Sequence, residues 1–312
     1  MLVDELMETG GDRVVILSTI TSAVSRGTER LVLQGRVPPE EAASMRCPNQ
    51  RGEFPFPVKY GYALVGRIVQ GPEGWVGRIG FALHPHQSAT ALPPSEVTLL
   101  PDDVPPRRAA LAANMETALN VVWDSGASLG DSVLVVGAGV VGLLVARLLA
   151  RTPGVEVIVA DVDPGKRAVA EAMGARFVTP DALPDGVDVA INASASDAGL
   201  RAALEAVGPE GRVVEASWLG KGEARLPLGG RFHSQRLTIV SSQVGRIPAD
   251  RAPRWSHARR LAAVMRLLDD PALDALISHE VPLAEAPARL PRLLKEGGAL
   301  AILITYGTDT QE

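Results

Sequence analysis

The sequence predicts an α/β fold in which a doubly wound parallel sheet is joined to a second, β-rich unit. Three observations carry that prediction. From Asp131 onward, apolar runs at 132–136, 155–160, 187–191, 212–215 and 237–241 alternate with helical segments, the pattern of parallel strands linked by helices. The first hundred residues instead hold short strands punctuated by Gly and Pro. Between these regions, residues 132–142 read SVLVVGAGVVG, an apolar run placed directly before a glycine turn and a helix.

In chain order, strands are expected at 13–19, within 57–69 and at 75–83. A Pro-rich joint at 100–106, LPDDVPP, precedes a helical pattern over 107–123. Helices at 140–149, 165–173 and 198–207 lie between the parallel strands. After Ser256 come a helix at 257–268, a strand at 277–281, a helix at 284–295 and a last strand at 300–305. That last strand is most economically placed back on the first unit, while residues 308–312 are expected to fray. The layout is therefore 1–113 as the first part of the β-rich domain, 114–250 as the parallel-sheet domain and 251–312 as the return.

Residues 133–136 are fully apolar, as a strand covered on both faces requires. Gly137 then permits a tight turn, Gly139 lets backbone approach a pyrophosphate, and Gly142 lets the next helix pack close to the strand. Val140 and Val141 open that helix, whose N-terminus presents N–H groups and a positive dipole end to a diphosphate. The second apolar strand ends on Asp161, 19 residues after Gly142. A carboxylate there accepts from both ribose hydroxyls of adenosine and repels a 2′-phosphate, so the pattern predicts NAD over NADP. Lys166 and Arg167 follow closely as cations for a phosphate. The competing structural role for Asp161 is a cap on the following helix, with Pro164 in its first turn.

Composition narrows the function class. The chain has 312 residues, 46% of them hydrophobic and 21% charged, ordinary for a globular protein with room for two cores. A net charge of −5 and only 4% aromatic residues leave neither a basic footprint nor stacking platforms for nucleic acid. No apolar stretch reaches membrane-spanning length, and the acidic, polar N-terminus is not a signal peptide, so a cytoplasmic location is expected. The single cysteine, Cys47, excludes an internal disulfide and any cysteine-cluster zinc site.

The segments SRGTER at 25–30, FPFPVKYGY at 54–62, HPHQ at 84–87, NMETALN at 114–120 and SSQVG at 241–245 stand beside GAGVVG at 137–142. Together they resemble the medium-chain dehydrogenase/reductase superfamily, the zinc-type alcohol dehydrogenase-like proteins, over essentially the whole chain. More narrowly they look like a zinc-lacking branch that includes bacteriochlorophyllide a (hydroxyethyl) dehydrogenase. The resemblance implies a Rossmann coenzyme domain, a GroES-like β-rich catalytic domain, and a substrate cleft between them. It also implies a homodimer paired through the coenzyme domain along the 237–241 edge. In many members a catalytic zinc sits in the cleft, held by residues whose matches here are Arg26, Tyr62 and Ala113. None of these is a zinc ligand, and a cationic Arg26 repels a dication, so no zinc is expected. The chain also begins later than those relatives, so the first strand of the β-rich domain is expected to be missing, with an edge exposed.

Without a metal, hydride transfer still needs a hydrogen-bonding group at the developing alkoxide. Thr28 matches the hydroxyl that contacts substrate oxygen in the zinc-containing relatives, whereas their relay histidine is matched by Leu31. Tyr62 offers a phenol from a former ligand position, or simply a ring that fills the vacated space. His84 and His86 lie where the β-rich domain meets the expected cleft, as candidates for proton transfer or as ordinary hydrogen-bonded groups. Glu116 is a candidate general base, or else an acid complementing its helix N-terminus. Thr117 matches a residue lying against the nicotinamide, and Ser194, Ser242 and Gln243 follow strand ends where dinucleotides lie. Arg26 and Glu29 are expected to pair where the metal was, and Cys47 to be inert. The resulting expectation is an NAD-dependent, zinc-independent oxidoreductase interconverting a secondary alcohol and a ketone on a small organic substrate. A zinc-free quinone or enoyl reductase and an inactive NAD-binding protein are the alternatives.

Overall fold

The β-branched run at 132–136 becomes the strand Ser132–Val136, its last four residues buried. The structure, a computed structural model, describes residues 1–5 and 14–307. The expected strand start at Arg13 and the expected frayed tail at 308–312 lie outside the described residues. The chain divides into two compact units, Met1–Ala113 with Leu261–Glu312, and Asn114–Arg260. Residues 251–260, expected in the C-terminal return, lie instead with the second unit, where Arg260 pairs with Glu116 at 3.1 Å.

In the second unit, Ser132–Val136 pairs in parallel with Glu156–Ala160 on one side and Val187–Asn192 on the other. Arg176–Val178 adds beyond the former, and Val207–Glu215 then Thr238–Ser241 add beyond the latter, all in parallel. Taken in chain order, the six strands run 3-2-1-4-5-6 across the sheet. The strand order therefore reverses beside Ser132–Val136, at whose carboxyl end a ligand crevice forms in such sheets. The helix Val140–Ala150 is apolar nearly all round, with Leu143, Leu144, Val145 and Ala146 fully buried, as expected for a helix packed into a core rather than lying over it. Leu134, Ala190, Ala203, Val207 and Val213, each fully buried, build the core beneath Asp197–Ala206. The strand at 176–178 was not expected from the sequence, because three residues are too few for alternation to register.

The first unit is built on Val15–Val24, which pairs antiparallel with Leu64–Gln70, Ala89–Leu92 and Ala301–Thr305. The chain's last strand thus returns beside its first, with Val24 opposite Ile302, as the sequence led one to expect. Ile277–Pro282 continues the sheet in parallel at one edge, and Ile79–Ala82 then Thr98–Leu99 close the other. The strand expected over 75–83 shortens to Ile79–Ala82, because Gly74 and Gly77 take positive φ values of 77° and 87° in a turn before it. The helical pattern over 107–123 splits into Pro106–Ala109 and Ala112–Ser125.

Arg108, only 6% exposed, ties the short helix to the C-terminal return. Its Nε and Nη2 donate to the two carboxylate oxygens of Asp274 at 3.1 and 3.0 Å, and its Nη1 donates to the Leu268 carbonyl at 3.3 Å. Arg108→Ala leaves Asp274 without that fork and should lower stability by about 1–3 kcal/mol. Urea unfolding measures this, and an unchanged midpoint would show that the fork contributes nothing to the join.

Candidate functional site

The glycines of GAGVVG have three different surroundings. Gly137 sits at φ 106°, and a Cβ there would stand 2.8 Å from the backbone of Ala193 and Ser194. Left-handed backbone and close approach both demand glycine at that position. At Gly142 a Cβ would fall 2.0 Å from the Gly137 carbonyl oxygen, so the helix seats directly on the turn. Around Gly139 a Cβ would meet no atom within 4 Å. Two glycines are spent on packing, and the third faces open space at the N-cap of Val140–Ala150. The N–H groups of Val140, Val141 and Gly142 lie in the first turn, where no helical carbonyl can accept them. A cradle of this form, open at one glycine and positive at the helix end, fits a diphosphate.

Asp161 closes the cradle on the neighbouring strand. Its Oδ2 accepts the Ala138 amide at 2.6 Å and its Oδ1 accepts the Asp163 amide at 2.9 Å. The carboxylate therefore clasps the glycine loop while each oxygen keeps a further lone pair for a hydroxyl. The cap of the following turn is Asp163, not Asp161, since Asp163 Oδ1 accepts the Gly165 amide at 2.9 Å. Lys166 is 8% exposed.

Along the carboxyl ends of the strands runs a polar shelf. Asn192, fully buried, donates through Nδ2 to Glu215 Oε2 at 2.7 Å and accepts the Ser194 hydroxyl at 2.7 Å. Ser194 in turn meets Ser196 at 2.9 Å, and Glu215 Oε1 accepts the Ser217 amide at 2.7 Å. Burial raises the Glu215 pKa, with Asn192 and Ser217 opposing it. Asn192 and Glu215 were not among the residues expected from the sequence; an amide ending the apolar run VDVAIN was the available signal. Ser242 donates to Asp124 Oδ2 at 2.6 Å, and Asn120 reaches the same oxygen at 3.0 Å. The Gln243 carbonyl lies 3.5 Å from Asn120 Nδ2. On the helix Ala112–Ser125, Thr117 is half-buried and Glu116 is buried against Arg260, which also donates to Asn120 Oδ1 at 2.7 Å. Burial raises the Glu116 pKa and Arg260 opposes the rise. Its carboxylate thus serves a buried ion pair.

In the first unit, Thr28 and Ser25 both hydrogen-bond the Tyr62 phenol, whose pKa is pushed up to about 12 by burial. The Tyr60 ring packs edge-on to Tyr62 with centroids 6.0 Å apart. The expected Arg26–Glu29 pair does not form. Arg26 donates instead to the carbonyls of Glu296, Gly297 and Ala299 at 2.5, 3.3 and 3.1 Å, so its guanidinium does not stand in for a metal. Glu29 accepts the Ser25 amide at 2.7 Å and faces His86 Nε2 at 3.0 Å. Of the two histidines, His84 is the inward structural one. Its Nδ1 donates to the Pro85 carbonyl at 2.9 Å and its Nε2 accepts the Thr90 hydroxyl at 3.1 Å. Burial lowers its pKa. His86, not His84, joins the cluster around Tyr62. Cys47 is buried beside the Gly61 carbonyl, and burial pushes its thiol up to about 12, which keeps it protonated and unreactive. Among the described residues no three His, Cys, Asp or Glu side chains converge as a metal site, and Arg26, Tyr62 and Ala113 are a poor donor set for zinc.

Residues 140–263 match the family described as zinc-binding dehydrogenase. (R,R)-butanediol dehydrogenase of Bacillus subtilis (strain 168) is 27% identical over 208 residues, 53% of this chain and 60% of that protein. The chain spans about half or less of the length of the first curated relatives it matches. A protein described as a zinc-binding dehydrogenase from Sinorhizobium meliloti 1021, bound to NADP, superposes with a TM-score of 0.74 at 19% identity, covering 95% of this chain and 93% of that one. A protein described as a short chain alcohol dehydrogenase from Escherichia coli CFT073, complexed with NADH, superposes equally, at 0.74 and 17% identity, covering 96% and 94%. The fold is that of these dehydrogenases, a Rossmann-type parallel sheet with a β-rich domain. The family match is confined to residues 140–263, almost all of them in the parallel-sheet unit.

The glycine surroundings make a paired prediction. Gly142→Ala should cost about 2 kcal/mol or more, since backbone rather than a flexible side chain must yield, whereas Gly139→Ala should cost under about 1 kcal/mol. Thermal unfolding of the two variants checks this, and equal losses would contradict the division between packed and open glycines.

Proposed function

We propose that the protein is an NAD-dependent, zinc-independent oxidoreductase that interconverts a secondary alcohol and a ketone on a small organic substrate. The observation that carries the reading is the open cradle at Gly139, bounded by Gly137, Gly142 and the clasping carboxylate of Asp161. Val140, Val141 and Gly142 would hold the diphosphate through their amides, and Asp161 the adenosine ribose. A free ribose 2′-hydroxyl suits that carboxylate and a 2′-phosphate does not, which favours NAD. When bound, the nicotinamide accepts or returns the hydride. Thr117, Ser194, Ser242 and Gln243 are the candidates to orient the nicotinamide end. Lys166 is better assigned to the fold than to a phosphate, given its burial.

Thr28 and Tyr62 would share the substrate oxygen, two neutral donors already hydrogen-bonded to one another. A phenol held protonated well above neutral pH donates to a developing alkoxide without losing its proton first. The residues matching the zinc ligands supply no thiolate or imidazole, so oxygen activation rests on these hydroxyls. The butanediol, threonine and xylulose specificities named among the relatives support a secondary alcohol as the reacting group. Likeness to the zinc-lacking branch with bacteriochlorophyllide dehydrogenase supports the same chemistry without metal. We further propose a cytoplasmic homodimer, paired along the exposed edge strand Thr238–Ser241.

Asp161→Ala should weaken NADH binding by ~1–3 kcal/mol, the scale of leaving hydrogen-bonded hydroxyls without their charged partner. A fluorescence titration that gives the wild-type Kd removes Asp161 from the ribose site. Purified protein should carry no stoichiometric zinc and keep its turnover of secondary alcohols in chelator. One zinc per chain, with activity lost on its removal, overturns the metal-free mechanism.

A further inference from the structure

We propose that Ser242 accepts a carboxamide N–H of the nicotinamide, and that Arg260, Asn120 and Asp124 fix its hydroxyl in the orientation this requires. The inference rests on the NAD-binding reading. Across the parallel sheet, Val136 stands opposite Asn192, Asn192 opposite Glu215 and Glu215 opposite Ser241. That row of strand ends begins one residue before Gly137 and runs away from the strand that precedes Asp161. A dinucleotide crosses such a sheet where the strand order reverses, so with adenosine at Asp161 the nicotinamide half falls along this row. Ser242 follows the row's last member, and its amide continues the ladder by donating to the Glu215 carbonyl at 2.9 Å.

A serine hydroxyl can donate or accept, and its neighbours decide which. Arg260, 3% exposed, can only donate. Its Nε is anchored on Glu116 Oε1 at 3.1 Å, and its Nη1 donates to Asn120 Oδ1 at 2.7 Å. That contact turns the fully buried Asn120 amide so that Nδ2 faces the other way and donates to Asp124 Oδ2 at 3.0 Å. The Ser242 hydroxyl donates to the same oxygen at 2.6 Å. An ionised carboxylate only accepts, so the hydroxyl proton of Ser242 is committed to Asp124. What the half-buried Oγ has left is lone-pair density, met among the described residues by a long 3.5 Å approach of Asn120 Nδ2. A carboxamide presents N–H groups and a carbonyl, and the N–H groups are the ones that suit such an oxygen. Direction is thus passed from a buried cation through an amide and a carboxylate to a hydroxyl. Reversing the amide or the hydroxyl would set donor against donor or acceptor against acceptor. Ser242 is the binding group, and the other three are positioning residues.

Calorimetric binding of NAD, its 3-acetylpyridine analogue and ADP-ribose to the full chain tests this. In the analogue a methyl group replaces the carboxamide NH2 while the carbonyl stays. Wild type should bind NAD about tenfold tighter than the analogue, the scale of one hydrogen bond. In Ser242→Ala the two should bind within about twofold of each other, with the ADP-ribose Kd within about twofold of wild type. Asp124→Ala frees the hydroxyl to turn and donate to the carbonyl that both dinucleotides share, so its preference for NAD should fall as far. Asp124→Asn can still present an oxygen to the two donors and should keep the preference within about twofold of wild type. Both dinucleotides meet the same folded fraction of each variant, so a loss of stability alone leaves their ratio unmoved. Equal binding of the two by wild type, or a full preference in Ser242→Ala, overturns the acceptor role and leaves the NAD reading standing. A full preference in Asp124→Ala, or its loss in Asp124→Asn, overturns the positioning chain in the same way. Wild-type protein that binds neither NAD nor ADP-ribose overturns both.

Discussion

The carbonyl of Gly137 lies so close to Gly142 that a side chain at the latter would stand 2.0 Å from it. That contact sets where the helix Val140–Ala150 begins, and hence where its positive end points. The strand Ser132–Val136 feeds the turn from the centre of a parallel sheet, at the place where strand order reverses. Asp161 then fixes the free side of the loop by accepting the Ala138 amide. Rigid elements thus hold a backbone cradle whose open position is Gly139. Binding chemistry here is the consequence of packing too tight for side chains at two positions and empty at a third.

The first unit applies a different principle to a polar cluster. Ser25, Thr28 and Tyr62 bring hydroxyls together, with the Glu29 carboxylate and the His86 imidazole paired beside them. Neutral donors such as Thr28 and Tyr62 need no counter-ion, and a fully hydrogen-bonded network can be buried without the penalty that falls on an unpaired polar group. Arg26, which on sequence grounds looked like the charge replacing the metal, is taken up by three backbone carbonyls at 296–299. The negative charge of Glu29 is thereby left for His86 and the Ser25 amide. Glu116 shows the opposite case, a buried carboxylate matched by a buried guanidinium and so tied to the fold.

Legibility in the sequence followed the range of the interactions. The strands Ser132–Val136 and Glu156–Ala160, the glycine turn and Asp161 all fall within about thirty residues of one another, and β-branched runs with fixed glycine spacing announce them. The edge strand Arg176–Val178 is too short to show alternation. The partners of His86 are separated from it or from one another by 57, 64 and 284 positions, and no local pattern encodes such pairings. HPHQ could therefore nominate two histidines but not say which one Thr90 would claim and which one Glu29 would. Gly61 held a usable hint, since a glycine between two tyrosines marks a place where something approaches the backbone closely.

The most direct test is a titration of the wild-type protein with NADH and with NADPH, followed by the fluorescence of the reduced nicotinamide. The cradle closed by Asp161 predicts saturable binding of NADH, at least about tenfold tighter than NADPH. Binding of neither nucleotide, or a preference for NADPH, would contradict the account at its base.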